Sequence, residues 1–515
     1  MVLPRLVNFA RLVWLLLVAW YELGVFYSHA SSCPWPDETL RISTTSITSP
    51  THVLIVADPQ ILDRRSYPDR PPWLVRLSQL IVDLNLRKSW RGVLRQNPHA
   101  VVFLGDMMDN GRFAMSDDEY EKYFRRFKSI FAADENLPVY YLPGNHDIGL
   151  GASSPRYQFS DHALERYVTH FGALNQRIIL ANHTVYMIDA PSLVDEELAR
   201  VSAGMSYSQW AEARPDRTVA YLQSAAQSVS ADPDQPTLLF THVPLFRPEH
   251  ADCGPLRERG TIRQGRGLGY QNLLTEQASR LALQSLRPAI IFSGDDHDYC
   301  EHVHTVPVTD TKRPSPPLSV PEITVKSFSM AMGVRHPGYQ LLSLVPPSTV
   351  GTSPSFAHQP CLLPDQLGIY LNAYLPLLSL TLIALLAANV RRVLLRHRSG
   401  RSGDSLSIPL ASSTEEDDVN YDLPPPSAWR SKDFPRAAWS RSCTFVLGGQ
   451  VRRVTLSLPG LVRLVVRFLW SSGSGGRDSD SARRRDGIVK GFTRDFLEAA
   501  WAPVALFVAI AWWVW

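Results

Sequence analysis

Residues 139–147 read Val-Tyr-Tyr-Leu-Pro-Gly-Asn-His-Asp. A β-branched and aromatic run breaks into proline and glycine, then into three side chains carrying amide, imidazole and carboxylate groups. Such a run followed by turn formers predicts a strand that ends in a polar loop. The pattern recurs at four other places. Val53–Ala57 runs into Asp58-Pro59-Gln60, and Ala100–Leu104 into Gly105-Asp106-Met107-Met108-Asp109. Thr237–Thr241 runs into His242-Val243-Pro244, and Ala289–Ser293 into Gly294-Asp295-Asp296-His297-Asp298. Between these runs, helical periodicity predicts helices over 73–94, 117–131, 161–171, 218–229 and 271–286. Strands alternating with helices predict an α/β core over residues 50–346, whose last part, Glu301–Val345, carries strand signals with Pro-rich turns.

In α/β sheets, functional groups gather at the carboxyl ends of strands. Five converging ends would bring Asp, Gln, Asn and His side chains into one cavity. Those are metal-ligand types: hard oxygens and imidazole nitrogen. A central carboxylate bridging two cations suits phosphoryl chemistry, since paired metals clamp phosphate oxygens and activate water. Taken singly, each motif has a plainer explanation. Asp-x-Gln and GD-x-x-D are common turn chemistry, and a lone His such as His242 is more often a satisfied structural group. The ordered set, each member behind a strand, carries the functional reading.

That set resembles the calcineurin-like metallophosphoesterase superfamily, with its D-x-H, GD-x-x-D, GNH[DE], lone His and GH-x-H motifs, over residues 50–346. The resemblance implies a four-layer sandwich of two mixed β-sheets flanked by helices. It also implies site roles. Asp58 and Asp106 would be first-site and bridging carboxylates, Asn145 and His242 would hold a second metal, and His297 would return to the first. His146 would stabilise the phosphate from outside the metals, with Asp147 holding its ring. Gln60 and Asp295 stand where the pattern has His, so two nitrogen donors become oxygen. Oxygen donors favour hard divalent ions, Mn²⁺ above all, over zinc. The stretches ADPQ, GDMMDNGR, LPGNHD, THVPLFR, CGPLRERG, GYQN and SGDDHDYCE are similar to the fungal cell-division-control branch and its animal GPI-anchor relatives. That likeness implies a manganese-dependent phosphodiesterase that removes an ethanolamine-phosphate branch from a mannose of GPI-anchored proteins or GPI lipid. A phosphodiesterase on another lumenal or lipid phosphodiester, and a non-catalytic membrane receptor or cargo adaptor, are the other readings.

Outward from this domain the sequence turns apolar. An N-terminal anchor over 1–30, a transmembrane helix over 367–390 and another over 496–515 have the apolar character of bilayer spans. For the first, a cleaved signal peptide is the alternative, since small residues follow the apolar run and Glu22 lies within it. Arg5 and Arg11 precede the first span, and Arg391, Arg392, Arg396, Arg398 and Arg401 follow the second. Lys/Arg excess stays cytoplasmic. The expectation is therefore a multi-pass protein of the endoplasmic reticulum or ER–Golgi membrane with a lumenal catalytic domain, to which the sequon Asn182-His183-Thr184 is suited. Residues 398–440, rich in Ser, Pro and acid, read as a disordered cytoplasmic linker, and 451–470 as an amphipathic interfacial helix or a broken further span. A formal net charge of +3 over 515 residues gives no reason to expect nucleic acid as a partner.

Five cysteines are too few for a disulfide scaffold or a CxxC zinc site. If the His242 and His297 loops converge on the metals, Cys253 and Cys300 come within bridging reach, and Cys33 with Cys361 forms a second pair that can coexist. The first bridge would hold the 247–269 loop against the site, where Arg257 and Arg259 would meet phosphate.

Overall fold

Strand β1 (Thr51–Val56) sends alternate side chains to two sides: Val53 and Ile55 into one buried cluster, Leu54 and Val56 into another. That two-residue period is what a strand buried on both faces requires. The computed structural model describes residues 2–40, 49–150, 159–160, 162–232, 234–267, 269–306, 318–350, 353–401, 440–447, 450–457 and 486–515. The chain divides into two compact units, Met1–Ala10 with Leu380–Ala500, and Arg11–Ser379 with Trp501–Trp515.

The second unit contains the two sheets. After β1 come β2 (Ala100–Phe103), β3 (Val139–Tyr141), β4 (Gln176–Leu180), β5 (His183–Ile188) and β6 (Thr237–Thr241). A two-residue hairpin, β7 (Arg266–Gly267) with β8 (Tyr270–Gln271), precedes β9 (Ile290–Ser293), β10 (Cys300–Val306) and β11 (Leu318–Thr324). Strands β12 (Gly338–Leu344) and β13 (Phe356–Leu362) complete the set. One sheet has the order β13-β12-β1-β2-β3 and the other β10-β11-β9-β6-β5-β4. Both are mixed: β1, β2 and β3 are parallel while β12 runs antiparallel to both β1 and the edge strand β13, and β5, β6, β9 and β11 are parallel while β4 and β10 are antiparallel edges.

Three clusters stack the layers. Val53, Ile55, Val102, Leu238, Phe240 and Phe292 meet between the sheets. The outer face of the first sheet, with Leu54, Val101 and Phe103, packs on Leu86 and Trp90 of helix Pro72–Leu94 and Phe127 of helix Asp117–Ile130. The outer face of the second, with Tyr186, Leu239 and Ile291, packs on helices Ala190–Ser202, Thr218–Ala231 and Glu276–Leu286. The result is helix, sheet, sheet, helix, the expected four-layer sandwich. The domain continues past residue 346, however. β13 pairs with β12 from Phe356 to Leu362, and Cys361 on it is bridged to Cys33. The edge strand restores hydrogen-bond partners to β12, whose buried backbone would otherwise lack them.

Three helices have the length and apolarity of membrane spans: Leu3–Thr39, Gln366–Arg398 and Ile488–Val514. The chain is a membrane protein. Glu22 in the first span is buried and pairs with Lys88 of helix Pro72–Leu94 at 2.6 Å, while Tyr374 donates to its other oxygen. In the first unit, Val7, Leu385 and Ala499 pack together, and Asn389 donates to Asp495. The interfacial helix expected over 451–470 is not formed in its first part: Gln450–Ser457 is a strand antiparallel to Ser440–Leu447. Val451, Val454 and Thr455 are β-branched and suit an extended backbone better than a helix. The rest of that expectation, 458–470, and residues 402–439 of the linker lie outside the described residues.

Candidate metal centre

Parallel strands in register level their carboxyl ends. Val56 lies beside Phe103, Phe103 beside Tyr141, and Phe240 beside Phe292. The loops that follow carry Asp58 and Gln60, Asp106, Asn145, His242, and Asp295 with His297. Donor atoms of Asp58, Asp106 and His297 all lie within 4.8 Å of one another, and so do those of Asp106, His242 and Asp295. The two groups share Asp106. This is the geometry a bridging carboxylate between two ions requires.

The local backbone bends to achieve it. Of ten non-glycine residues with positive φ among those described, five are Asp58 (47°), Gln60 (34°), Asp106 (55°), Asp295 (63°) and His297 (66°). Left-handed conformations are costly for such residues and persist where surrounding contacts over-determine them, typically at functional sites. Two glycines make room. A Cβ on Gly144 would fall 2.1 Å from Asp106 Oδ1, and one on Gly105 would fall 2.5 Å from His242 Nδ1.

Hydrogen bonds aim the donors. His242 gives Nδ1–H to the carbonyl of Leu104 at 2.6 Å. Its Nε2 then faces three oxygens: Asn145 Oδ1 at 3.1 Å, Asp106 Oδ1 at 3.3 Å and Asp295 Oδ1 at 3.5 Å. A ring fixed by a backbone carbonyl is how metal-binding imidazoles are commonly oriented. Asn145 is held in turn, its Nδ2 donating to Gly269 O at 2.9 Å. Gln60 presents its nitrogen end, Nε2, to Asp106 Oδ2 at 2.7 Å. An amide can exchange its two ends by rotation, so the same side chain can offer Oε1.

The electrostatics also call for positive charge. Asp58 is wholly buried, its Oδ2 has no hydrogen-bond partner, and burial drives its carboxyl well above the ordinary range. Burial opposes ionisation of Asp106 too, but His242 and then His146 hold it below the usual carboxylate range. Burial pushes His242 down, but Asp106 and Asp295 together raise it well above the ordinary imidazole range, so a proton there balances the carboxylates. His297 is pushed down by burial and keeps a neutral ring, the form that binds metal. An orphaned buried carboxylate oxygen within a set of oxygen and imidazole donors fits a pair of divalent ions. Asp58, Asp106 and His297 would hold one, and Asp106, His242, Asp295 and Asn145 the other. When bound, they would clamp phosphate oxygens and activate water.

His146 stands beside these groups. Its backbone N–H donates to Asp106 Oδ1 at 2.8 Å, and its ring rests by Nδ1 on the GD-x-x-D loop. The partner of the ring is not Asp147. His146 Nδ1 lies 2.5 Å from the carbonyl of Asp109 and 3.5 Å from its carboxylate. Asp147 instead accepts from the backbone N–H groups of Gly144, Met107 and Met108. In the tight turn after Gly144 the Asp147 side chain folds back to cap its own helix start, so it cannot also reach the ring. Burial pushes its carboxyl up to about 7. Asp147 is a positioning residue that ties the Asp106 and Asn145 loops together.

Two residues matter that sequence reading passed over. Asp109 takes the role expected of Asp147. Arg112 brings Nη2 to 3.5 Å from His146 Nε2 while its Nη1 donates to the carbonyls of Asn145 and Gly269. Both stood in plain view within GDMMDNGR. Arg257, by contrast, is not available to phosphate: its guanidinium pairs with Asp296 at 2.5 Å and donates to the carbonyls of Arg259, Gly260 and Tyr299. Arg259 is exposed. Both expected disulfides are present, Cys253–Cys300 and Cys33–Cys361.

A paired-donor centre at the strand ends of this sandwich defines a metal-dependent phosphoesterase. The calcineurin-like phosphoesterase model matches residues 51–299, and the chain belongs to that family. It is 33% identical to Cell division control protein 1 of Saccharomyces cerevisiae over 374 residues, covering 70% of each chain. It is 27% identical to Metallophosphoesterase 1 of Danio rerio over 385 residues, covering 71% of this chain and 88% of that one. A Metallophosphoesterase 1 homolog of Caenorhabditis elegans is 25% identical over 293 residues, covering 56% and 70% respectively.

Proposed function

We propose that this phosphoesterase is a Mn²⁺-dependent phosphodiesterase of the endoplasmic reticulum membrane that removes an ethanolamine-phosphate branch from a mannose of GPI anchors. The observation that carries the metal is the donor set. With Gln60 and Asp295 in place of imidazoles, oxygen outnumbers nitrogen around both positions, which favours manganese over zinc. The substrate follows from the resemblance of the site loops to the GPI-acting branch, and the membrane helices suit a lipid-linked substrate. Two disulfides in the catalytic unit suit an oxidising lumen, as does the Arg excess beyond the second span. Asn182, exposed at the turn between β4 and β5, would then be open to glycosylation.

In this reading His146 carries the proton that matters. The Asp109 carbonyl takes Nδ1–H, which leaves Nε2, the end beside Arg112, as the atom that hands a proton to the substrate. As the mannose–phosphate ester opens, that proton passes to the leaving mannose oxygen, water supplies the hydroxyl on phosphorus, and phosphoethanolamine departs. Arg112 offers N–H groups to the phosphate beside His146.

Glycan analysis of GPI-anchored proteins from cells lacking the chain tests the proposal. Ethanolamine phosphate retained on one mannose, and removed again when the wild-type chain is restored, is the expected result. Unchanged glycans, with the purified protein hydrolysing a different phosphodiester, would reject the GPI assignment and leave the chemistry intact.

A further inference from the structure

Helix Pro72–Leu94 has two faces with different fates. Val82, Leu86, Trp90 and Val93 lie in the core against the first sheet. On the opposite side Trp73 is 67% exposed, and Leu77 and Leu80 are each 43% exposed. At about 100° per residue these three lie on one stripe, and Leu84, Arg87, Lys88 and Arg91 continue it.

That continuation is covered by the membrane helices. Lys88 pairs with Glu22 of the first span. Arg87 and Arg91 donate to the carbonyls of Trp515 and Trp513 at the end of the last span, at 3.3 and 2.6 Å. Gly92 is pressed so near the first span that an added Cβ would sit 3.1 Å from Phe26 O, and Gln96 Nε2 bonds the carbonyls of Ala30 and Cys33. Later residues of the helix thus meet later residues of the span. Moving back from Lys88 to Trp73 therefore leads from the end of the span towards its apolar body. The exposed stripe continues a face already seated on the spans and points to the level of the bilayer.

We propose that Trp73, Leu77 and Leu80 lie in the polar–apolar boundary of the bilayer that holds the spans, as a contact between catalytic domain and lipid. An aromatic residue with aliphatic neighbours on one helical face is the composition such contacts use. Arg70 and Arg76, exposed near the start of the helix, suit lipid headgroups. The contact would set the height and tilt of the catalytic domain over the membrane, because the helix is built into its core.

The test uses the full chain in phosphatidylcholine nanodiscs, with Cys443 replaced by Ser and a nitroxide on L77C. A second label on K122C, at an exposed position of helix Asp117–Ile130, is the aqueous control. The expected result is oxygen broadening at 77 several-fold above that at 122, and broadening by a water-soluble nickel chelate lower by a similar factor. The same measurement on L80C keeps the test alive should L77C fold poorly. Equal accessibility at 77 and 122 overturns the proposal. So does dipolar broadening between labels on two copies, which would mean that a second chain covers the stripe.

Discussion

Gln60 donates its side-chain amide to Asp106 Oδ2 at 2.7 Å, and both side chains are buried. The carboxylate shared by the two donor groups is thus held on one oxygen by Gln60, while the other accepts from the backbone of His146. Asp106 cannot rotate out of the centre without breaking both bonds.

Asp106→Ala is therefore expected to lose both ions and all detectable phosphodiesterase turnover, and Gln60→Ala to weaken metal affinity by about 10–100-fold, the usual cost of removing an orienting partner. Metal content by elemental analysis, read with turnover, checks both. Wild-type turnover that persists after stringent chelation would contradict the two-ion centre.

His146→Ala is expected to cut turnover by about 10²–10⁴-fold, the usual worth of a placed proton donor, with both ions still bound. The ring leans on the Asp109 carbonyl and faces Arg112, so its removal takes no donor atom from either group. Metal lost on this substitution would make His146 a ligand and the assignment wrong. Arg112→Lys is expected to raise KM more than it lowers kcat, since lysine keeps the charge and loses the planar fork.

The sandwich and most of its site were legible because each donor follows an apolar run whose period is two or whose end is Gly or Pro. What stayed hidden was set by three-dimensional contact. β4, β5 and β13 were passed over: β4 and β13 are edge strands with mixed burial, and His183 and Thr184 interrupt the apolar start of β5. The partner of His146 could not be read from sequence, because Asp147 is its neighbour in the chain while Asp109 comes from another loop, and only the turn after Gly144 takes the nearer carboxylate away. Glu22 looked like a flaw in an apolar span, and its reason, Lys88, lies far along the chain.

Asp189 gives a pH-dependent signature away from the metal centre. It caps helix Ala190–Ser202 by accepting from Ser192 N at 2.9 Å, and burial pushes its carboxyl from 3.8 up to about 7. Between those values the folded chain keeps a proton that the unfolded chain has released. Stability from this group therefore falls as pH rises through that window and is flat above it. Asp189→Asn keeps an acceptor without the charge, so its melting temperature relative to wild type should rise between about pH 4 and about pH 7. A difference unchanged across that range would show that Asp189 does not ionise with the raised value.

Lys88→Met should destabilise the protein by about 3–5 kcal/mol, because it strands the Glu22 carboxylate in a buried site. The two side chains are only 5% and 2% exposed, so water cannot replace the lost partner. Glu22→Gln combined with Lys88→Met should recover most of the loss, since it removes the uncompensated charge and leaves Tyr374 an amide oxygen to donate to. Thermal unfolding of the single and double variants in detergent separates the cases. A double variant as unstable as Lys88→Met would mean that packing, and not charge, fixes the first span to the domain.

The Cys253–Cys300 bridge closes a separation of 47 residues, and chain entropy gives it roughly 4 kcal/mol at most. Its sulfur also sits over a buried pair: Arg247 Nη1 donates to Cys300 Sγ at 2.8 Å, and its Nη2 lies 3.0 Å from Glu322. Glu322 in turn accepts from Ser293 at 2.6 Å, the residue just before the Gly294-Asp295 turn. The bridge therefore clamps the loop after His242 to the strand after His297 and leaves Asp295 between two fixed ends. Replacing both cysteines by Ser should lower the melting temperature and weaken metal retention in the group that contains Asp295, while Asp58 and His297 keep theirs. Peptide mapping without reductant checks the bridge itself. Free thiols at both 253 and 300 in protein drawn from the secretory pathway would remove the clamp, and the lowered metal retention should then fail to appear in the Ser variant.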